Sequence, residues 1–332
     1  MADYEEDRVA RHRTSHPDAR WFPQASMGLF MHWGIHSVAG LQPSWAMIRD
    51  YPHAGTDQYP RERYYALASR FDPARYEPDR WLSAARRAGF EYAVLTTKHH
   101  DGYTLWPSSE AVVGTHTHMD GRDLIQPYAE ACRNCGMKVG FYFSFADWAW
   151  PGFPIKDVDF NHNRRGEHPS IPAEEDEQQF DDFYEYTRNQ LRELLTGYGQ
   201  IDLLWFDGVG WRDRSPEQLR SVETIEWIRS LQPQIVINNR WGKIGDYVTP
   251  ECHFPENEPQ QWWETCMITN GHWGYNPGNP LPELEWWVER RDRCNQWGGN
   301  FLPNVGPAPD GTMPGDFYDR CRELEETNAL HE

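Results

Sequence analysis

Short apolar runs that end in polar, chemically capable residues recur along this chain, and most are separated by stretches with helical spacing. Met27–Trp33 is the first such run, followed by Tyr92–Thr97, Lys138–Ser144, Ile201–Phe206 and Ile235–Asn239. Tyr92–Thr97 is rich in the β-branched and aromatic residues that strands favour. Between the runs, Pro78–Ala88 repeats apolar residues at helical spacing behind an opening proline, a position where a helix tolerates it. Arg122–Cys135 has the same spacing. Glu175–Leu195 is acidic at its start and richer in arginine at its end, which suits the helix dipole. Pro216–Leu231, Pro282–Trp297 and Asp316–Glu326 complete the helical set.

This alternation, with no linker, predicts one parallel α/β domain. The chain has 332 residues, enough for a (β/α)₈ TIM-like barrel, which typically takes about 250. An open doubly wound sheet alternates in the same way, but no G-x-G-x-x-G follows the first strand and no P-loop is present. The last three strands are not distinct within Cys252–Leu302, so the barrel is expected to be irregular in its last third. Residues 1–19 read as a polar arm and residues 20–332 as a single barrel domain. The long segment Trp148–Pro172, rich in Pro, Gly, His, Asn and Arg, reads as a binding loop after the third strand or as a solvated excursion.

Composition narrows the function classes. A net charge of −19 disfavours nucleic acid and anionic membranes as partners. No apolar run approaches the roughly 18 residues of a membrane span, and the charged N-terminus has no signal-peptide core, so a cytoplasmic location is expected. Cys132-x-x-Cys135 has no second pair at matching spacing, which argues for reduced thiols rather than a zinc site. The chain carries 17 Trp, 16 Tyr and 15 Phe. Core packing explains some of the tryptophans, but many adjoin His, Asp, Gly or Asn, which also suits a sugar site: rings stack on pyranose C–H faces while polar neighbours take the hydroxyls.

In α/β barrels the chemistry sits at the C-terminal ends of the strands. The five predicted strands end in His32-Trp33, in Lys98-His99-His100-Asp101-Gly102, in Ser144 with Asp147-Trp148, in Asp207-Gly208, and in Asn239-Arg240-Trp241 with Glu251 beyond. Asp207 and Glu251 fit a pair of carboxylates for glycoside hydrolysis, one ionised to attack and one protonated to deliver a proton. An Asp-Gly pair after a strand is also a common turn. No cofactor is called for. A metal-dependent reading would use His99, His100 and Asp101, or His116 and His118, but adjacent residues on a strand tend to diverge.

From about Trp21 to Gly311 the chain resembles the retaining α-L-fucosidase family. The resemblance is carried by Gly28-Leu29-Phe30-Met31-His32-Trp33-Gly34, by Lys98-His99-His100-Asp101-Gly102, by Leu204-Trp205-Phe206-Asp207-Gly208, by Asn239-Arg240-Trp241-Gly242 with Thr249-Pro250-Glu251, and by Trp263-Glu264-Thr265-Cys266, Trp273-Gly274-Tyr275 and Asn304-Val305-Gly306-Pro307. It implies an exo-acting enzyme that removes α-L-fucose from a fucosylated oligosaccharide or glycoconjugate. Asp207 would be the nucleophile and Glu251 the acid/base, with Glu256, Glu258 and Glu264 as other candidates for the second role. It also implies that His32, His99, His100, Trp45, Trp205 and Arg240 bind the sugar, together with a third-strand residue that is either Tyr142 or Phe143. Three departures stand out. Ser44-Trp45 occupies the place of a Glu-Trp pair, which opens α-L-galactose as an alternative sugar. Pro303 replaces an aliphatic residue, with a local structural effect expected. The family's C-terminal β-sandwich is not expected here. A carbohydrate-binding protein without turnover is the reading from another class.

Overall fold

The computed structural model describes residues 12–48, 59–154, 173–211 and 214–330. Ten strands lie among them: β1 (Gly28–Met31), β2 (Tyr92–Lys98), β3 (Tyr103–Thr104), β4 (Val113–Gly114), β5 (Lys138–Ser144), β6 (Leu203–Asp207), β7 (Val236–Ile237), β8 (Tyr247–Val248), β9 (Trp262–Ile268) and β10 (Asn300–Asn304). The α-helices are α1 (Arg61–Ala66), α2 (Pro78–Arg87), α3 (Thr115–His118), α4 (Ile125–Asn134), α5 (Ala173–Gly197), α6 (Ser221–Leu231), α7 (Leu284–Gln296) and α8 (Gly315–Ala329). Apart from the small β3–β4 excursion, the strands pair in parallel in the order β7-β6-β5-β2-β1-β10-β9-β8. A parallel bridge between Asn238 and Tyr247 joins β7 to β8. The eight strands thus close into a ring that follows chain order, the (β/α)₈ topology.

Side-chain alternation assigns each strand an inner and an outer face. On β5, Val139, Phe141 and Phe143 join the core beneath the helices, whereas Tyr142 belongs to a separate cluster inside the barrel. On β6, Leu204 and Phe206 point outward and Leu203 and Trp205 inward. This decides between Tyr142 and Phe143: Tyr142 faces the barrel interior. At the end of β2 the pairing with β5 shifts register between Thr96 and Lys98. Such an irregularity re-aims the following side chains. Lys98 is fully buried on the outer side, where it donates to Asp147 at 3.2 Å and to Gln190 of α5 at 2.9 Å.

The five expected strands are present. Of the three that the sequence left indistinct, β9 lies within Cys252–Leu302, β10 begins in it and runs on to Asn304, and β8 lies just before it. The irregularity of the last third has a definite location. The connections β7–β8 and β8–β9 contain no helix, and β7 and β8 are two residues each. Helix α6 starts at Ser221 rather than Pro216, because Arg220 adopts a left-handed conformation with φ 52° and ends a preceding turn. Pro303 has the expected local effect. Phe301 N–H donates to Ser26 O and Val305 N–H to Phe30 O, so the N–H missing at residue 303 is the intervening rung of the β1–β10 ladder.

Part of the expected polar arm and the turns after it close the barrel floor. Ala19, Phe22 and Ala25 belong to the interior cluster, and the Phe22 ring lies 4.3 Å from that of Tyr247. The segment 155–172 of the expected binding loop lies outside the described residues. Phe22 is completely buried, so Phe22→Ala should cost about 3–5 kcal/mol. Urea denaturation would show this as a lower midpoint at unchanged slope.

Candidate active site

The C-terminal mouth of the ring holds a cavity of about 200 Å³ lined by Phe30, His32, Gln42, Trp45, His99, His100, Tyr142, Trp205, Asp207, Gly208, Glu251 and Trp273. Asp207 is the last residue of β6 and points inward by the same alternation as Trp205. Its Oδ2 accepts from the Tyr142 hydroxyl at 2.9 Å and its Oδ1 from Arg240 Nη1 at 2.9 Å. His100 Nε2 lies 3.8 Å from Oδ2. Burial opposes the charge on Asp207, but the Arg240 guanidinium above all, with the Tyr142 hydroxyl and the Gly208 N–H, outweighs it and holds the carboxyl below its ordinary pKa. Gly208 has φ +60°, and a Cβ there would stand 2.8 Å from the His100 ring, so both the turn and the packing require glycine.

Arg240 follows β7 and joins the two carboxylates. Its Nη2 donates to Glu251 Oε2 at 2.9 Å while Nη1 holds Asp207. Its guanidinium lies 4.4 Å from the Trp205 ring centroid, a cation–π contact. Trp205, Tyr142 and His99 then form a stack, with ring centroids 5.5 Å apart at each step. Glu251 sits beside β9 through a bridge to Cys266, with 43% of its side chain exposed at the pocket mouth.

The four candidate glutamates separate by position. Glu251 lines the pocket. Glu256 and Glu258 are exposed in the β8–β9 connection. Glu264 is fully buried inside the barrel, accepting from the Tyr92 hydroxyl and, at 2.9 Å, from Trp205 Nε1. It anchors the floor of the pocket rather than facing it. Burial, only partly offset by these donors, raises its pKa to about 7.

The histidines are oriented from behind. His32 Nδ1 meets Asn304 Oδ1 at 2.7 Å, and the Asn304 amide is itself fixed by donation to Trp273 O. His32 therefore carries its proton on Nδ1. His100 Nδ1 meets Ser144 Oγ at 2.6 Å, and that hydroxyl donates to Ala146 O, so His100 is also the Nδ1–H tautomer. Burial lowers both pKa values to about 4. His99 is held by Ser44 at 2.6 Å, and its pKa falls well below the ordinary value for the same reason. His99 and His100 do not diverge as expected. They follow the end of β2, and their rings lie 4.1 Å apart.

The metal sets suggested by the sequence do not assemble. Asp101 turns away to accept from Tyr64 and Ser44, and His116 and His118 are exposed on α3. Among the described residues, His99, His100 and Asp207 each bring one ligand atom within 4.8 Å of the others. There, however, the positive partner of Asp207 is already Arg240, at 2.9 Å.

Ser44 does not line the pocket. It is the centre of a tight turn closed by Trp45 N–H to Pro43 O, at φ 54° and ψ −48°, a conformation that costs a serine about 1–3 kcal/mol. Four lining residues escaped the sequence reading of the sugar site. Trp273 was visible in a motif but given no role, and Phe30 stood inside the first strand motif as an apparent core residue. Gly208 read as turn chemistry, and Gln42, which accepts from Trp273 N–H at 3.0 Å, carries no local signal.

A ring-closed (β/α)₈ barrel whose mouth pairs two carboxylates beside aromatic walls defines a glycoside hydrolase. The α-L-fucosidase family model matches residues 2–326, and the chain belongs to that family. It is 30% identical to human tissue α-L-fucosidase over 334 residues, 92% of this chain and 66% of the relative. Among solved structures, α-L-fucosidase isoenzyme 1 from Paenibacillus thiaminolyticus superposes with a TM-score of 0.81 at 32% identity, covering 94% of this chain and 75% of that one. The α-L-fucosidase AlfC, in complex with Fucα(1,6)GlcNAc, superposes with a TM-score of 0.74 at 27% identity, covering 94% of this chain and 99% of that one.

Two predictions follow from this electrostatic arrangement. Tyr142→Phe removes a donor that lowers the Asp207 pKa, so the acidic limb of the kcat/KM profile should move to higher pH. An acidic limb left in place would contradict the assigned role of that hydroxyl. Glu264 has a raised folded-state pKa, so the folded state retains a proton that the unfolded state loses between about pH 4.5 and about pH 7. Stability should therefore fall by roughly 3 kcal/mol across that window. Glu264→Gln should flatten the fall, as measured by urea denaturation at a series of pH values.

Proposed function

We propose that this chain is an exo-acting, retaining α-L-fucosidase acting on fucosylated oligosaccharides or glycoconjugates. The observation that carries the reading is Arg240 bound at 2.9 Å to both Asp207 and Glu251 at the rim of a closed-ended pocket. Asp207 is the nucleophile. It is kept ionised, and its backbone is set by the sheet. Glu251 is the acid/base, since it is the glutamate of the four candidates that reaches the pocket and it lies at the mouth, where a leaving group would stand.

In the first step Glu251 donates a proton to the glycosidic oxygen while Asp207 attacks the anomeric carbon. The C–O bond to the leaving group breaks and a covalent glycosyl-enzyme forms. In the second step Glu251 takes a proton from water, whose oxygen displaces Asp207 and restores the original anomeric configuration. His32, His99 and His100 meet the ring hydroxyls, and Phe30, Trp205 and Trp273 give the sugar an apolar wall. That wall suits the methyl group of fucose better than the C6 hydroxyl of galactose. Because Ser44 stands behind His99 and not in the cavity, its departure from the family pattern does not by itself argue for α-L-galactose.

The test is release of 4-nitrophenol from its α-L-fucoside, with the α-L-galactoside alongside. Turnover of the fucoside should exceed that of the galactoside, survive exhaustive chelation, and fall about 10⁴-fold or more in Asp207→Ala. Wild-type turnover in Asp207→Ala would remove the nucleophile assignment. Tight fucose binding without turnover of any fucoside would favour a binding protein.

A further inference from the structure

We propose that Ser44 is a positioning residue that sets His99 as a proton acceptor in the sugar pocket, through a relay running from His99 Nδ1 to the Ser44 hydroxyl and on to the Asp101 carboxylate. The sugar-facing role of His99 rests on the function proposed above; the relay itself does not.

The direction of each bond follows from donor and acceptor counting. Asp101 Oδ1 accepts from Tyr103 N–H at 2.8 Å. Its Oδ2 accepts from the Tyr64 hydroxyl at 2.7 Å and from Ser44 Oγ at 3.1 Å. The Tyr64 hydroxyl proton is committed in this way because the same oxygen accepts from Ser44 N–H at 2.8 Å. Ser44 Oγ in turn accepts from Asp101 N–H at 2.8 Å. With the single Ser44 proton directed to Asp101, the 2.6 Å contact to His99 Nδ1 requires a proton on the imidazole side. Nδ1 is then the donor, and Nε2 keeps its lone pair.

The result matches the other two pocket histidines, each also held as the Nδ1–H form by an acceptor behind it. Three neutral imidazoles thus present three acceptor nitrogens on one side of the cavity. A ligand must answer with three proton donors, as a sugar with several free ring hydroxyls does. A sugar methylated or deoxygenated at the position facing His99 would leave that nitrogen unpaired, so Ser44 and Asp101 act on specificity without touching the ligand. Two residues with no place in the cavity, Ser44 and Tyr64, are completely buried around Asp101, which keeps water from offering the relay a competing partner.

The test is the tautomeric state of His99 in protein labelled with ¹⁵N-histidine, read from long-range ¹H–¹⁵N correlations and assigned by the resonance missing in His99→Gln. The free wild-type enzyme should show the Nδ1–H form. Asp101→Asn should reverse it. The Asn carbonyl must face Tyr103 N–H, so its amide donates to Ser44 Oγ and the serine proton turns toward His99 Nδ1. Ser44→Ala should leave a tautomer mixture and lower kcat/KM for the 4-nitrophenyl α-L-fucoside by about tenfold or more. An Nε2–H imidazole in the wild type overturns the proposal, as does a His99 spectrum unmoved by both substitutions. The wild-type spectrum decides the point even if a variant does not fold. It also stands if the fucoside is not turned over, so failure of the relay and failure of the fucosidase reading remain distinct.

Discussion

The guanidinium of Arg240 is the point on which the site turns. Burial makes the charge on Asp207 costly. One planar cation, with one amino group on Asp207 and the other on Glu251, offsets that cost and fixes the placement of the two side chains relative to each other. Arg240 is held in turn by the face of Trp205, and the Trp205 indole N–H is anchored by Glu264 in the barrel interior. The column from Glu264 through Trp205 and Arg240 to Asp207 and Glu251 links floor to mouth. A change at its base can therefore reach the chemistry without altering any group that touches the sugar.

Strand alternation explains why these groups coincide. Trp205 and Asp207 share the inward face of β6, and Tyr142 and Ser144 that of the adjacent β5. The register places Tyr142 beside Trp205 and Ser144 beside Asp207. The aromatic floor and the polar mouth are thus successive layers of the same inward positions. The histidine pair needs something more. A strict alternation would send His99 and His100 to opposite sides, and the register shift at the end of β2, with Lys98 tied to Asp147 outside the barrel, brings both over the cavity.

Much of this was legible in the sequence. Strands β1, β2, β5, β6 and β7 each carried an apolar run and a chemically capable end, so their existence and the convergence of His32, His99, His100, Asp207 and Arg240 could be read from local pattern. β8 could not. It has two residues, its neighbours are loops, and its place is fixed by pairing with β9 rather than by its own composition. The sequence also showed Ser44 as a departure without showing its function, because the turn at Pro43–Trp45 directs its hydroxyl behind His99. Glu264 and Glu251 look alike in sequence. What separates them is which face of the barrel wall each occupies, and that depends on a register no local window contains.

The same geometry accounts for the charge the site presents to a reaction. A double displacement at a sugar passes through a transition state with positive charge on the ring. Arg240 would oppose that charge if it faced the ring alone, but both of its amino groups are spent on the two carboxylates. In the mechanism proposed above, ionised Asp207 is therefore the group whose charge matches the developing cation. The histidines must not add a further opposing charge, and their burial keeps them neutral: His32 and His100 would need a pH near about 4 to protonate. In that mechanism their contribution is dipolar, made through nitrogens that Asn304 and Ser144 aim for His32 and His100 and, in the relay proposed above, Ser44 for His99. Preorganised dipoles cost little reorganisation when charge appears. In the proposed mechanism, the ring of buried residues behind the histidines therefore belongs to the catalytic electrostatics as much as the carboxylates do.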